Sequence, residues 1–296
     1  MTLSTLVLIA LSLLLSVSLT GLMRRYAIRA NLLDRPNERS SHTVPTPRGG
    51  GVAIVVTFLL ALGAAIFVTG IAARFAIALA GAGVLIAALG FIDDRKSLPA
   101  RVRFTGHALA AGWLLYWMES VPVMPVLGYQ VNLSYFGPAL SFLFITWMIN
   151  LFNFMDGIDG LAGLEALTVT LAGALLWLTH GQPGAEWVTG LLFGAAVLGF
   201  LVWNFPPAKI FMGDAGSGFI GLTVAGLALW CGQASPALFW SWFILIGCFM
   251  VDATTTLIRR VRRGERFSEA HRTHAYQYAS RKLGAHRPVT VAVGLI

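Results

Sequence analysis

Asn150, Asn153, Asp156 and Asp159 place two amides and two carboxylates at intervals of three residues. On a helix or a tight helical turn that spacing stacks polar groups along one stripe. Gly157 and Gly160 follow the two aspartates and permit a non-helical turn or a close approach of the backbone to a ligand. The flanking stretches, 140–149 and 162–179, are almost without charge, so the stripe reads as a binding surface rather than a plain connector.

Four further groups have the same character. Residues 45–51 read Pro-Thr-Pro-Arg-Gly-Gly-Gly, which puts Arg48 beside a glycine-rich turn where a helix begins and suits an anionic ligand. Asp93 and Asp94 are adjacent at the end of an apolar run, a costly arrangement unless they are solvated, paired with Arg95 and Lys96, or bound to a cation. Residues 204–218 carry Lys209 as a point charge for phosphate, Phe211 as a flat face for a base, and Asp214 as a hard oxygen ligand. Gly213, Gly216 and Gly218 beside them expose backbone N–H groups to an anion. His271-Arg272-Thr273-His274 ends the series. Asp252 lies inside an apolar run, where a carboxylate is functional by default, although a threonine or arginine partner would also explain it. His107 reads as a satisfied interfacial histidine.

The elements that must hold these groups follow from composition. The chain has 296 residues, 57% hydrophobic and 11% charged, against about a quarter charged in a soluble domain. Apolar runs near 3–22, 51–70, 73–92, 104–118, 138–152, 161–179, 186–203, 216–231 and 237–258 approach the length needed to cross a hydrocarbon core of roughly 30 Å. A tenth begins near Pro288 and reaches Ile296 part-way, so an incomplete last span and a longer parent chain are expected. The predicted fold is an all-α polytopic membrane protein of about ten transmembrane helices in one domain, 1–296. Residues 126–136 alternate in a β-rich pattern around Gly128, which predicts a small external β-hairpin.

Net charge +8 would suggest nucleic acid if it were spread evenly. Instead, 20 of the 21 Lys and Arg fall in loops 24–48, 93–103, 204–214 and 259–287, all on one side of the predicted membrane. The positive-inside rule makes that side the cytoplasm, and no nucleic-acid partner is needed. Cys231 and Cys248 show neither metal spacing nor a disulfide case. The first apolar run lacks a preceding basic residue and reads as a retained span rather than a signal peptide.

Five carboxylates in three loops on one face, mixed with cations, suit a diphosphate held through a hard cation. Mg²⁺ takes one or two carboxylates with phosphate oxygens and water, whereas zinc would want more His or Cys. The apolar spans offer a path to membrane lipid. A transporter for an anionic solute is the rival, but it should place charges at the midplane.

Taken together the motifs resemble the polyprenyl-phosphate N-acetylhexosamine-1-phosphate transferases. That family includes initiators of O-antigen and enterobacterial common antigen and the phospho-MurNAc-pentapeptide transferase of peptidoglycan. The likeness covers nearly the whole chain and rests on residues 45–51, Asp93-Asp94, residues 150–160, residues 211–214 and residues 271–274. Ser40-Ser41-His42 ahead of residues 45–51 is most similar to WbpL-type O-antigen initiators. The peptidoglycan enzyme has a lysine near where His42 stands and a different histidine motif, which sets the pentapeptide substrate aside.

The resemblance implies a bacterial inner-membrane protein with its site loops in the cytoplasm. It would transfer N-acetylhexosamine 1-phosphate from a UDP-sugar to undecaprenyl phosphate, releasing UMP and starting O-antigen or lipopolysaccharide assembly. Asp214 would bind Mg²⁺, with Mn²⁺ as a substitute, and Phe211 would stack on uracil. Asp156 and Asp159 would line the nucleoside pocket, with Asn153 beside the diphosphate. Asp93 and Asp94 would handle the polyprenyl phosphate or the metal, completing a catalytic set of four aspartates. His42, Arg48, Lys209, His271, Arg272 and His274 would grip the substrate. The second pKa of a phosphate monoester lies near 6, so a general base has little proton to remove. Positioning and charge neutralisation are then the main terms. Direct attack and a two-step route through an aspartyl phosphate both remain open, as does a homodimer.

Overall fold

A computed structural model describes residues 1–36, 44–118, 124–126, 129–131, 136–181, 184–265 and 272–296. The first eight helices are α1 (Leu3–Arg29), α2 (Gly51–Thr69), α3 (Ala73–Asp93), α4 (Ala100–Met118), α5 (Gly137–Met155), α6 (Leu161–Thr179), α7 (Trp187–Asn204) and α8 (Asp214–Ala234). Four shorter ones follow: α9 (Pro236–Leu245), α10 (Gly247–Arg262), α11 (Ala275–Leu283) and α12 (Arg287–Gly294). The protein is an all-α polytopic membrane protein. Among the described residues seven helices, α1–α3 and α5–α8, are long and apolar enough to cross a membrane. A 19-residue helix is roughly 28 Å long at 1.5 Å per residue. α4 has that length, but Arg101 and Arg103 occupy its first turn.

Two expectations change in detail. The run 237–258 is not one straight span: α9 and α10 meet at a break with a bend of 67°, and counting the pair as one broken span raises the total to eight. Gly247 starts α10 directly after the break. The run from Pro288 forms α12, eight residues long. The hairpin is present: β3 (Met124–Val126) pairs antiparallel with β4 (Tyr129–Val131), Met124 opposite Val131. It joins α4 to α5 at the end of the bundle opposite Asp93 and Asp156. A second two-stranded sheet joins β1 (Leu33–Asp34) to β2 (Thr46–Pro47).

α8 is the central helix and packs against α2, α3, α4, α5, α6 and α9. In lipid, helix association depends on close packing, and small residues permit it. α2 and α8 touch through Gly51 and Gly216, where a Cβ on Gly51 would collide with the Cα of Gly216. Phe58 of α2, Phe193 of α7 and Phe219 of α8 fill the space behind that contact, with Phe58 centroids 5.0 and 5.9 Å from the other two rings. α1 packs on α2 and α7 only along one side and leaves Leu6, Leu11 and Leu14 exposed, as a lipid-facing helix does.

Candidate active site

α8 begins at Asp214 after Gly213, so no side chain of its own caps the helix. The first N–H groups of a helix need acceptors, and Asp94 supplies them from the end of α3. Its Oδ1 accepts from Asp214 N at 2.9 Å and its Oδ2 from Ala215 N at 3.3 Å. Gly90 makes the approach possible: a Cβ there would lie 2.5 Å from the backbone of Asp214 and Ala215. Gly90→Ala therefore displaces Asp214, and misplacement by about 1 Å costs on the order of a hundredfold in rate. Steady-state turnover of the purified variant beside wild type checks this; unchanged turnover would mean the α3–α8 contact does not set the geometry.

Arg48 enters from β2. Its Nη2 stands 2.9 Å from Asp94 Oδ1 and 2.8 Å from Asp214 Oδ1. The backbone holds it there, because Phe211 N donates to Pro47 O at 2.8 Å and Gly50 N to Phe211 O at 2.9 Å. On the other side Asn153, from the last turn of α5, donates through Nδ2 to Asp214 Oδ1 and to Ser217 Oγ, both at 3.1 Å. Arg48, Asp94, Asn153 and Asp214 thus form one network, with Ser217 as a member that sequence reasoning missed.

The remaining aspartates divide. Asp93 accepts from Leu98 N at 2.6 Å and pairs with Arg103 at 3.5 Å. Asp156 is the residue at which α5 ends, with φ −82° and ψ 49°. The helical stripe therefore holds through Asn150 and Asn153 and breaks at Asp156, because the glycine-rich turn leaves the helix before Asp159. Asp159 faces the turn after α7 and the start of α12, with Ala208 N donating to its Oδ2 at 2.9 Å and His286 Nδ1 lying 3.1 Å from its Oδ1. Asn204 accepts from Gly160 N at 3.0 Å and fixes the same turn.

Electrostatics set Asp94 and Asp156 apart from ordinary carboxylates. Burial pushes Asp94 up to about 6, with Arg48 and the two backbone N–H groups pulling down and Asp214 pushing up. Burial also drives Asp156 well above the usual range; Arg48 opposes this, and Asp214, Asp94 and Asp159 add to it. Aspartates thus surround one guanidinium, a deficit of positive charge that a bound cation would correct.

A cavity of about 650 Å³ opens beside the network, bounded by α3, α4, α5, α8 and His274. Its polar wall includes Asp93, Arg101, Arg103, Asn153, Asp214 and His274. Along α3 it runs from Asp93 inward to Ile86, and along α5 from Asn153 to Ile149. Seven residues of helix are about 10 Å, so the cavity reaches from the loops into the apolar bundle. His107 and Asn150 line it together, 3.2 Å apart, and this pair makes His107 a wall of the cavity as well as a satisfied histidine.

Other expected site residues lie apart from this cavity. Lys209 is exposed and places its Nζ over the Trp203 ring, 5.7 Å from the centroid. Phe211 is half-buried beside Arg48. Arg272 is exposed, and its carbonyl accepts from Arg281 at 3.1 Å. His42 and His271 fall outside the described residues.

Among the described residues no three His, Cys, Asp or Glu side chains form a group able to hold a metal by themselves. Mg²⁺ needs only one or two carboxylates beside phosphate and water, and Asp214 meets that need: the hydrogen bonds described for its carboxylate all fall on Oδ1.

Residues 76–232, which span α3 to α8 and carry Asp94, Asn153 and Asp214, match the model of glycosyl transferase family 4. The chain is 32% identical over 293 residues to a probable undecaprenyl-phosphate N-acetylglucosaminyl 1-phosphate transferase of Bacillus subtilis, covering 96% of this chain and 80% of that one. The chain belongs to glycosyl transferase family 4. This family 4 chain is also 35% identical to the decaprenyl-phosphate N-acetylglucosaminephosphotransferase of Mycolicibacterium smegmatis, covering 82% of this chain and 66% of that one. It is 31% identical to the undecaprenyl-phosphate alpha-N-acetylglucosaminyl 1-phosphate transferase of Escherichia coli K12, with 87% and 71% covered. Arg48 and His274 of the family 4 chain lie outside the matched stretch 76–232, yet fold against it.

Proposed function

We propose that this family 4 chain transfers N-acetylhexosamine 1-phosphate from a UDP-sugar to undecaprenyl phosphate. The β-phosphorus, with its sugar, passes to an oxygen of the lipid phosphate, the bond from that phosphorus to the bridging oxygen breaks, and UMP leaves. The product is the undecaprenyl-diphospho-sugar that starts O-antigen or lipopolysaccharide assembly. The reaction face lies on the cytoplasmic side of the bacterial inner membrane.

The observation that carries this reading is the cavity whose mouth holds Asp93, Asn153 and Asp214 and whose floor is apolar. A lipid phosphate suits such a space, with its charge at the loops and its chain among the helices. Arg103 and Arg101 on α4 would meet the lipid phosphate. Arg48 and Asn153 hold Asp214 in place and His274 closes the opposite wall. Asp214 would hold Mg²⁺, which screens phosphate charge when bound. The lipid phosphate is largely dianionic at neutral pH, so the residues act by orientation and charge neutralisation rather than as a general base. Phe211 would carry uracil, and Asp159 would hold the adjoining turn in shape.

The reading is tested by supplying the purified protein with undecaprenyl phosphate and each of several UDP-N-acetylhexosamines, and following UMP. UMP release that needs both substrates supports it. Uptake of UDP-sugar into proteoliposomes without UMP release would make the protein a transporter instead. Phe211 gives a second test. Both edges of its backbone are hydrogen-bonded, so Phe211→Ala removes the ring and leaves the strand. Stacking a base on an aromatic side chain contributes about 1–3 kcal/mol. UDP-sugar affinity should weaken about 5- to 150-fold with lipid-phosphate affinity unchanged. Equal losses for both substrates, with a lower melting temperature, would make the ring a packing element.

A further inference from the structure

Asp252, on α10, does more than satisfy itself inside an apolar run. Its carboxylate accepts from Ala275 N at 2.9 Å and Tyr276 N at 3.2 Å, the first N–H groups of α11, and from Thr256 Oγ1 at 3.2 Å. It also stands 3.3 Å from Nδ1 of His274, with side-chain exposures of 9% for the aspartate and 4% for the histidine. One acidic group therefore fixes both the start of α11 and the ring that precedes it.

A carboxylate can only accept, so the hydrogen between these two groups belongs to Nδ1. The backbone N–H of Gln277 also faces the His274 side chain in a capping box and would favour a bare ring nitrogen. The anionic neighbour opposes that arrangement, because two lone pairs would then face each other. The other side of the assembly is equally anchored. Tyr276 stacks on His274 with centroids 5.6 Å apart, and its hydroxyl donates to Phe154 O at 2.9 Å. The ring so held lies on the wall of the cavity shared with Asn153 and Asp214.

We propose that Asp252 is a positioning residue: it holds His274 in the Nδ1–H form and in one orientation at the cavity wall. Whatever the ring does toward substrate phosphates it then does through Nε2. The identity of the substrate rests on the transferase reading above; the state of the ring does not.

Two measurements on the full chain test this. The first compares Asp252→Asn, His274→Gln and the double variant. Asp252→Asn keeps an oxygen for the backbone of α11 and loses the carboxylate. Each single change should lower kcat about ten- to a hundredfold, the usual scale for removing an orienting partner, while KM for the UDP-sugar moves less than about threefold. The double variant should fall no further than the worse single variant, because both remove one function. Losses that multiply would mean that Asp252 acts only as a structural anchor, and would overturn the proposal. The second records nitrogen spectra of histidine-labelled protein without substrate, with the His274 signal identified by its loss in His274→Gln. Wild type should show hydrogen on Nδ1, and Asp252→Asn should lose that preference. A signal with hydrogen on Nε2 alone in wild type, or one unchanged by Asp252→Asn, would overturn the proposal. Should wild type show no turnover, the substrate reading fails and the spectra decide by themselves.

Discussion

Asp214→Asn should leave no more than about one hundredth to one thousandth of wild-type turnover, the scale for removing a group that stabilises charge in a transition state. The fold should survive. Asparagine keeps an oxygen able to accept from Arg48 and Asn153, and α8 is capped by Asp94 rather than by Asp214 itself. What disappears is the Asp214 charge at the mouth of the cavity, and with it the ligand proposed for Mg²⁺. Turnover measured across a Mg²⁺ titration, with a melting curve for each protein, separates the two contributions. Activity within about tenfold of wild type at saturating Mg²⁺ would remove Asp214 from the metal-binding role.

Arg48→Met should cost about a hundredfold in turnover and lower the melting temperature. In wild type one guanidinium nitrogen lies 2.9 Å from Asp94 and 2.8 Å from Asp214; without it the two carboxylates repel each other across the start of α8. Removing one partner of a fully buried pair costs about 3–5 kcal/mol. The Arg48 side chain is 36% exposed, so solvent screening reduces that to about 1–3 kcal/mol. Arg48→Lys should recover only part of the loss, because an ammonium is more strongly hydrated than a guanidinium and is costlier to hold between two part-buried carboxylates. Turnover of Arg48→Met within about threefold of wild type would show that the bridge is incidental.

Much of this was legible in the residues themselves. Apolar run lengths gave the helices because a span of about 20 apolar residues has few other folds available in lipid. Asp93-Asp94, Asn153 and Asp214 stood out because polar groups are conspicuous against such a background. What the sequence could not reveal is which of them meet. Asp94 and Asp214 are 120 residues apart, and their contact depends on Gly90 admitting the backbone of α8, a packing fact without a local signature. Asp156 and Asp159 looked equivalent by spacing, yet the turn at Gly157 and Gly160 sends Asp159 toward Ala208 and His286. The break between α9 and α10 was hidden because both halves are compatible with one hydrophobic window. Asp252 was conspicuous as an intramembrane carboxylate, and the threonine partner its neighbourhood suggests is present in Thr256, but its other partners lie 22 to 24 residues downstream and are partly backbone N–H groups, which no residue type announces.

The central claim is that a phosphorylated sugar, and not the sugar alone, passes to the lipid. UDP-N-acetylglucosamine labelled at its β-phosphorus distinguishes these outcomes directly when mixed with purified protein, undecaprenyl phosphate and Mg²⁺. The account predicts that the label moves into the lipid fraction while the released nucleotide is unlabelled UMP. Label that stays with the nucleotide as UDP, while sugar appears on the lipid, would contradict it.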